Sequence, residues 1–263
     1  MLPTVDFCGF ESTRLIIGAN PFGGYSHQNA DRDEAMRSYH TVDRIIETWH
    51  RAEAAGINTM ISNNETPHVV EAMGQYLGAG GNLNWIAQVN CLSSGMLDSV
   101  DIVTDMGCKA LFFHGGQVDN LYTQEDEETL RSWIDHAKAK GIPVGVAAHH
   151  PNVHYWVDGL DIADFHMVCF FNCGSLHSGA GHKFGLADVG PAAECTRRIQ
   201  KPCIGYKIMG AGRIDARMAF EYAFDGIKPT DLVNVGMHRG DNDNMVEENA
   251  GIVRDILLAP VPA

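Results

Sequence analysis

Basic residues are scarce in this chain of 263 residues: 19 Lys and Arg stand against 33 Asp and Glu, for a formal net charge of −14. A balance so acidic lacks the electrostatic footprint of a nucleic-acid binder and chiefly favours solubility. Long apolar stretches are missing too. No run approaches the roughly twenty residues of a membrane span, so no membrane association is expected. The opening Met1-Leu2-Pro3-Thr4-Val5-Asp6 carries no basic flank ahead of an apolar region, which argues against a secretory signal. Paired cysteines are absent as well. The seven cysteines (Cys8, Cys91, Cys108, Cys169, Cys173, Cys195, Cys203) are odd in number and none shows C-x-x-C spacing. Cys169 and Cys203 sit inside apolar runs, where a free thiol behaves as a small hydrophobe. Reduced cysteines in a cytoplasmic protein are the expectation, without a disulfide framework or zinc knot. No Pro/Gly/Ser linker, low-complexity tract or charge block divides the chain, so residues 1–263 read as one domain.

What is present is a recurring pattern of short apolar runs that end in a hydrogen-bonding residue. Leu15–Gly18 leads to Asn20, Ile57–Ile61 to Asn63, Asn64 and Glu65, and Trp85–Val89 to Asn90. Ala110–Phe113 leads to His114, Val144–Ala148 to His149 and His150, and Met167–Phe171 to Asn172. Cys203–Tyr206 leads to Lys207, and Val233–Met237 to His238. Eight runs buried on both faces, with chemistry where they end, predict an α/β fold: a single (β/α)8 TIM barrel.

Helical patterns separate the runs. Thr41–Ala55 places Ile45, Ile46, Trp49 and Ala52 at helical spacing and stops at Gly56. Pro67–Leu77, Met96–Met106 and a short helix at Val153–Leu160 follow. So do Gly190–Gln200, Asp215–Phe224 and Asn244–Leu258. Gln124–Lys140 reads as one helix, acidic in its first turn and basic in its last. Two segments exceed a minimal barrel loop: Gly23–Ser38, within a longer loop at about 23–40, and Cys173–Asp188. The second carries Ser175, His177, Ser178, His182 and Lys183. Long loops at the catalytic end of a barrel commonly serve as lids or binding loops.

The strand ends supply the candidate site. His114 precedes Gly115 and Gly116, read as a sharp turn off the strand, with Asp119 near enough to orient an imidazole. Of His149 and His150, alternation admits one to the site. His149 is preferred, with His150 as a helix-start residue. Glu65 reads equally as a site carboxylate or as an acid in the first turn of a helix. Were it to face inward, His114, His149 and Glu65 would be a two-histidine, one-carboxylate set suited to Zn, Mn, Fe or Co. His114 and His149 otherwise form an acid/base pair. Lys207 is a candidate base, Schiff-base nucleophile or anion anchor. Arg213, Arg239 and the glycines at 210, 212, 236 and 240 suit an anionic group. Asn20, Asn90, Asn172 and His238 are candidate substrate-binding residues for a hydroxylated ligand, unless the amides cap loops.

Several segments together resemble the aldo-keto reductases. Arg14-Leu-Ile-Ile-Gly18-Ala-Asn-Pro-Phe-Gly-Gly24 resembles their opening strand. Gly56-Ile57-Asn58 with Glu71, Gly74 and Leu77 resembles their second unit. Leu111-Phe112-Phe113-His114 is similar to the strand ending in their active-site histidine, and Asp231–Met237 with Glu247-Glu248-Asn249 to their last strand and helix. The resemblance implies a barrel, an Asp-Tyr-Lys-His tetrad and NADPH near Arg213 and Arg239. Only His114 matches the tetrad. Ile61 or Ser62 falls at the Asp, Glu65 or Thr66 near the Tyr, and Asn90 at the Lys. Loss of the phenol acid points to a redox-neutral lyase, isomerase or hydrolase acting on a small sugar-like or hydroxy-acid substrate. An NADP-dependent reductase with an altered tetrad and a non-catalytic binding barrel are the alternatives. A divalent metal is the first cofactor expectation and NADP the second. A small-molecule substrate is the expected partner, with a homo-oligomer left open.

Overall fold

The structure is a computed structural model that describes residues 1–172 and 184–259. Among these, eight parallel strands close into a barrel: β3 (Leu15–Gly18), β4 (Thr59–Asn63), β5 (Asn84–Val89), β6 (Ala110–Phe113), β7 (Val144–Ala148), β8 (Phe165–Cys169), β9 (Cys203–Tyr206) and β10 (Leu232–Gly236). Each pairs with its sequence neighbour, and β10 returns to β3 with Val233 opposite Leu15. The apolar runs therefore trace the barrel staves, shifted by one or two residues at some ends.

Two layers of core follow from alternation along each strand. Ile16, Ile61, Ile86, Ala110, Phe112, Ala147, Phe165, Met167, Ile204 and Leu232 fill the barrel interior. Their neighbours Leu15, Ile17, Ala87, Leu111, Phe113 and Val146 point outward, into the larger core shared with the helices. The helices are α1 (Ala30–Tyr39), α2 (Val42–Ala54), α3 (Pro67–Gly78), α4 (Met96–Asp105), α5 (Gly115–Gln124), α6 (Glu127–Lys138), α7 (Pro151–Leu160), α8 (Val189–Arg198), α9 (Ala216–Gly226) and α10 (Met245–Leu258). No helix among the described residues is long and apolar enough to cross a membrane.

Three features depart from the sequence reading. An antiparallel hairpin, β1 (Thr4–Phe7) and β2 (Phe10–Thr13), precedes the barrel. Its turn places Cys8 at φ 52° and Gly9 at φ 95°, the paired left-handed residues that a two-residue hairpin favours. Phe7 plugs the barrel interior against Phe165, edge to face at 5.1 Å. Second, the long segment after β3 contains α1. Its residues are mostly polar and only Met36 is buried, so hydrophobic periodicity is silent there. Its helix signal lies in the cap, where Asn29 accepts from the Arg32 N–H ahead of Asp31 and Asp33. Third, the segment read as one helix over Gln124–Lys140 is divided. Gln124 ends α5, Glu125 turns left-handed at φ 54°, and Asp126 caps α6 by accepting from the Thr129 N–H.

Candidate active site

A cavity of about 510 Å³ opens at the carboxyl ends of the strands. The inward parity of the barrel core continues into it. Ile86 is followed by Gln88 and Asn90, Phe112 by His114, Ala147 by His149, Ile204 by Tyr206, and Leu232 by Asn234. All these follow-on residues line the cavity. The same parity sends His150 elsewhere: it caps α7, its Nδ1 accepting from the Asn152 N–H at 3.1 Å.

His149 is the most constrained of the lining groups. Its Nδ1 lies 2.7 Å from Asp119 Oδ2, and its backbone N–H donates to Asp119 Oδ1 at 3.2 Å. A carboxylate can only accept, so Nδ1 carries a proton, and in the neutral ring the lone pair resides on Nε2. Asp119 therefore orients His149, not His114. Gly115 permits the packing: a Cβ there would stand 3.0 Å from His149 Cε1. Neither Gly115 nor Gly116 has a positive φ, so Gly115 provides close approach and neither makes the sharp turn expected of them.

His114 is held the opposite way. It caps α5, and its Nδ1 accepts from the Gly116 N–H at 3.2 Å. A backbone N–H can only donate, so Nδ1 is unprotonated and the neutral ring carries its proton on Nε2. Neighbouring strands thus deliver to one cavity two imidazoles held in opposite ways at Nδ1.

Glu65 also lines the cavity. Partial withdrawal from water raises its carboxyl above the usual range, opposed by the Tyr25 hydroxyl, 3.4 Å away, and by the Asn90 side chain. Tyr25 belongs to the loop after β3, so a phenol reaches the Glu65–Thr66 region from another element. Its burial raises its pKa as well. Lys207 lines the cavity with its backbone left-handed at φ 56°, a strained conformation for a side chain of this kind. Asn20 places its amide 3.3 Å from His27 Nε2, and Asn90 exchanges hydrogen bonds with Asn64 through its backbone. The hydroxyl of Ser62 and the amide oxygen of Asn234 line the same cavity, are buried, and have no hydrogen-bond partner among the described residues.

Other candidates lie apart from this cavity. Arg213 donates to the backbone carbonyls of Gly210 and His27, tying two loops together. Arg239 is 5% exposed and engaged by Glu47, Asp243 and Thr48. It is a structural cation and not an anion site. Asn172 is engaged through its backbone N–H with Asp188. His238 borders a smaller neighbouring chamber and pairs with His40, Nδ1 to Nε2, at 3.0 Å. Ser175, His177, Ser178, His182 and Lys183 lie outside the described residues. Among the described residues, no three His, Cys, Asp or Glu side chains come together as a metal site. His114, His149 and Glu65 share the cavity without forming one.

Asn63, Gln88, Tyr206 and Asn234 are site residues that the sequence reading does not single out. Asn63 lies among the polar strand ends without being a candidate, while Gln88, Tyr206 and Asn234 lie inside apolar runs. Their signal is alternation: each stands an even number of residues from an inward apolar neighbour or from a strand-end residue that lines the cavity.

No protein-family model and no curated protein matches the sequence. Solved structures do match. A Pseudomonas aeruginosa protein provisionally assigned as an aldo-keto reductase superposes with a TM-score of 0.63 at 19% identity, over 97% of this chain and 94% of its own. The chain shares the barrel fold of that protein. Dihydropteroate synthase from Yersinia pestis aligns with a TM-score of 0.54 at 10% identity, over 97% of each chain. An aldolase, QR15, aligns at 0.53 and 12%, over 82% of this chain and 89% of its own. At such identities the likeness speaks for architecture, on which unrelated chemistries are built.

Proposed function

We propose that this protein is a redox-neutral enzyme, a lyase, isomerase or hydrolase, acting on a small sugar-like or hydroxy-acid substrate. The observation that carries the reading is the opposed bonding of the two Nδ1 atoms, one facing a carboxylate and one a backbone N–H. His149, oriented by Asp119, offers Nε2 as a general base. His114 offers Nε2–H as a donor to an oxygen that gains negative charge. A base and a donor at one cavity are the minimum for proton abstraction beside a carbonyl, with the enolate oxygen held by the donor. Lys207 supplies a cation for a carboxylate or the developing oxyanion. Ser62 Oγ and Asn234 Oδ1, without partners among the described residues, would be satisfied by substrate groups, because buried polar atoms rarely stay unpaired. Glu65, with its raised pKa, is a second proton carrier at the mouth.

The residues do not fit the NADPH that the reductase resemblance implies. Both arginines expected to hold it are engaged by the fold, so no step of the proposed chemistry runs through it. The metal set is likewise not assembled among the described residues.

The test is solvent hydrogen exchange. Wild-type protein in D2O is incubated with small aldoses, 2-keto acids and 2-hydroxy acids, and C–H washout is followed by NMR. Washout from at least one compound is expected, slowed about 10²–10⁴-fold by His149→Ala. Oxidation of NADPH with a carbonyl panel and no washout would move the protein to the reductase reading. Ligand binding unaffected by His114→Ala, with no turnover, would make it a binding barrel.

A further inference from the structure

Beside the main cavity lies a second chamber of about 180 Å³, which shares part of its wall with the first. They share Asn20, Tyr25, His27, Tyr206, Lys207 and Asn234 as a common waist. Their chemistry differs. The first holds the imidazoles, Glu65 and several amides. The second is walled by Pro21, Met36, Ile208, Met209, Val235 and Met245. Its volume is comparable to the apolar cavities of roughly 150 Å³ that take up benzene. Its charged wall residues other than Lys207 are Arg32 and Asp241, which are paired with each other. At the waist stand Lys207, a cation in a strained backbone, and Asn234, whose amide oxygen has no partner among the described residues. Gly18 leaves room for that amide: a Cβ at position 18 would come within 2.7 Å of Asn234 Oδ1.

We infer that the substrate is a hydroxy acid with an apolar arm about the size of an aromatic ring. The inference rests on the functional reading above and narrows its substrate class. The carboxylate meets Lys207 at the waist, a hydroxyl donates to Asn234 Oδ1, and the reacting end faces His114 and His149. The arm enters the second chamber, where methionines adapt to its shape. Met209 and Met245, both half-buried on the chamber wall, are specificity-determining residues.

Calorimetric titration tests this without any need for turnover. The probes are phenyllactate, which carries acid, hydroxyl and arm, lactate, which lacks the arm, and 3-phenylpropane-1,2-diol, which lacks the acid. Phenyllactate is expected to bind at least tenfold tighter than either. Met245→Trp and Met209→Trp, each filling the chamber, should bring phenyllactate down to the affinity of lactate and leave lactate itself unchanged. Lys207→Met should erase the preference for acid over diol. Circular dichroism confirms that the variants fold, and the comparison of probes on the wild type needs no variant. Equal affinity for phenyllactate and lactate overturns the inference, as does absence of binding by both. Displacement of phenyllactate by NADPH overturns it too, because the chamber would then belong to a nucleotide. Loss of proton exchange in the His149 variant tests the catalytic reading separately, so the two failures are distinguishable.

Discussion

The Asp119–His149 contact creates a chemical asymmetry that can be measured directly. With Nδ1–H committed to Asp119 and the His114 Nδ1 committed to a backbone donor, the two rings must differ in tautomer. Long-range ¹H–¹⁵N spectra at pH 8 are expected to show Nδ1–H for His149 and Nε2–H for His114. Two identical tautomers would remove the base-and-donor pair. Asp119→Asn replaces an acceptor with an amide that can also donate, so the His149 proton moves to Nε2 and the base is lost. Proton exchange should fall by about 10²–10⁴-fold in that variant, with the fold intact. At this scale sequence reading goes some distance. His114, His149, Glu65, Lys207, Asn20 and Asn90 all reach one cavity, because residues that turn inward past a barrel strand converge on its mouth. Arg213 and Arg239 do not serve there. A guanidinium spends its donors on whatever acceptors the fold brings near, and for Arg239 these include Glu47 of α2, remote in sequence.

At the scale of elements, the junction between β9 and β10 depends on one buried carboxylate. Asp231 accepts from the backbone N–H groups of Cys203 and Lys228 and from the Lys228 ammonium at 3.0 Å. Burial raises its pKa even so. Asp231→Ala leaves two N–H donors without their acceptor and the Lys228 ammonium with only the Thr196 carbonyl and the Cys203 sulfur. The expected loss is about 3–5 kcal/mol, read as a fall in the midpoint of urea unfolding. An unchanged midpoint would mean that water takes over the role of Asp231. Gly9 offers a milder case. Its φ of 95° suits glycine, and nothing lies within 4 Å of the Cβ that an alanine would add there. Gly9→Ala should cost about 1 kcal/mol through backbone strain alone. The elements that periodicity could reveal were those with an apolar stripe. α1 and the β1–β2 hairpin were hidden because one is almost wholly polar and the other has strands of four residues each. Their signals are a cap and a turn, both local and short.

At the scale of the whole molecule, buried histidines set the acid limit. His40 and His238 pair on one side of the barrel, His154 and His166 on another, at 3.2 Å between their Nδ1 atoms. Burial lowers His40 to about 3 and His154 and His238 to about 4, and carries His166 well below its ordinary value. A folded pKa below the unfolded value of about 6.5 means that the unfolded chain binds the proton first. Stability is therefore complete above pH 6.5 and drains away as pH falls toward 4. Each histidine contributes up to about 1.4 kcal/mol per pH unit within that window. The melting temperature should drop steeply between pH 6.5 and 4.5. His154→Leu combined with His166→Met should flatten the drop, because an apolar pair has no proton to take up. A melting temperature flat across that range would show that these rings are protonated in the fold or hydrated.

The chain's own order of residues was enough to specify a barrel and the rim where its polar groups gather. Alternation with period two and amphipathic stretches of period 3.6 are local consequences of backbone geometry, so they survive in one dimension. Which polar group meets which was decided only in three dimensions. The choice of Asp119 for His149 and of Glu47 for Arg239 depends on distances between segments far apart in sequence. So does the placing of Lys207 and Asn234 on the common wall of two chambers. Hydrogen bonds act over about 3 Å, and no pattern along the chain encodes separations of that size across a closed barrel.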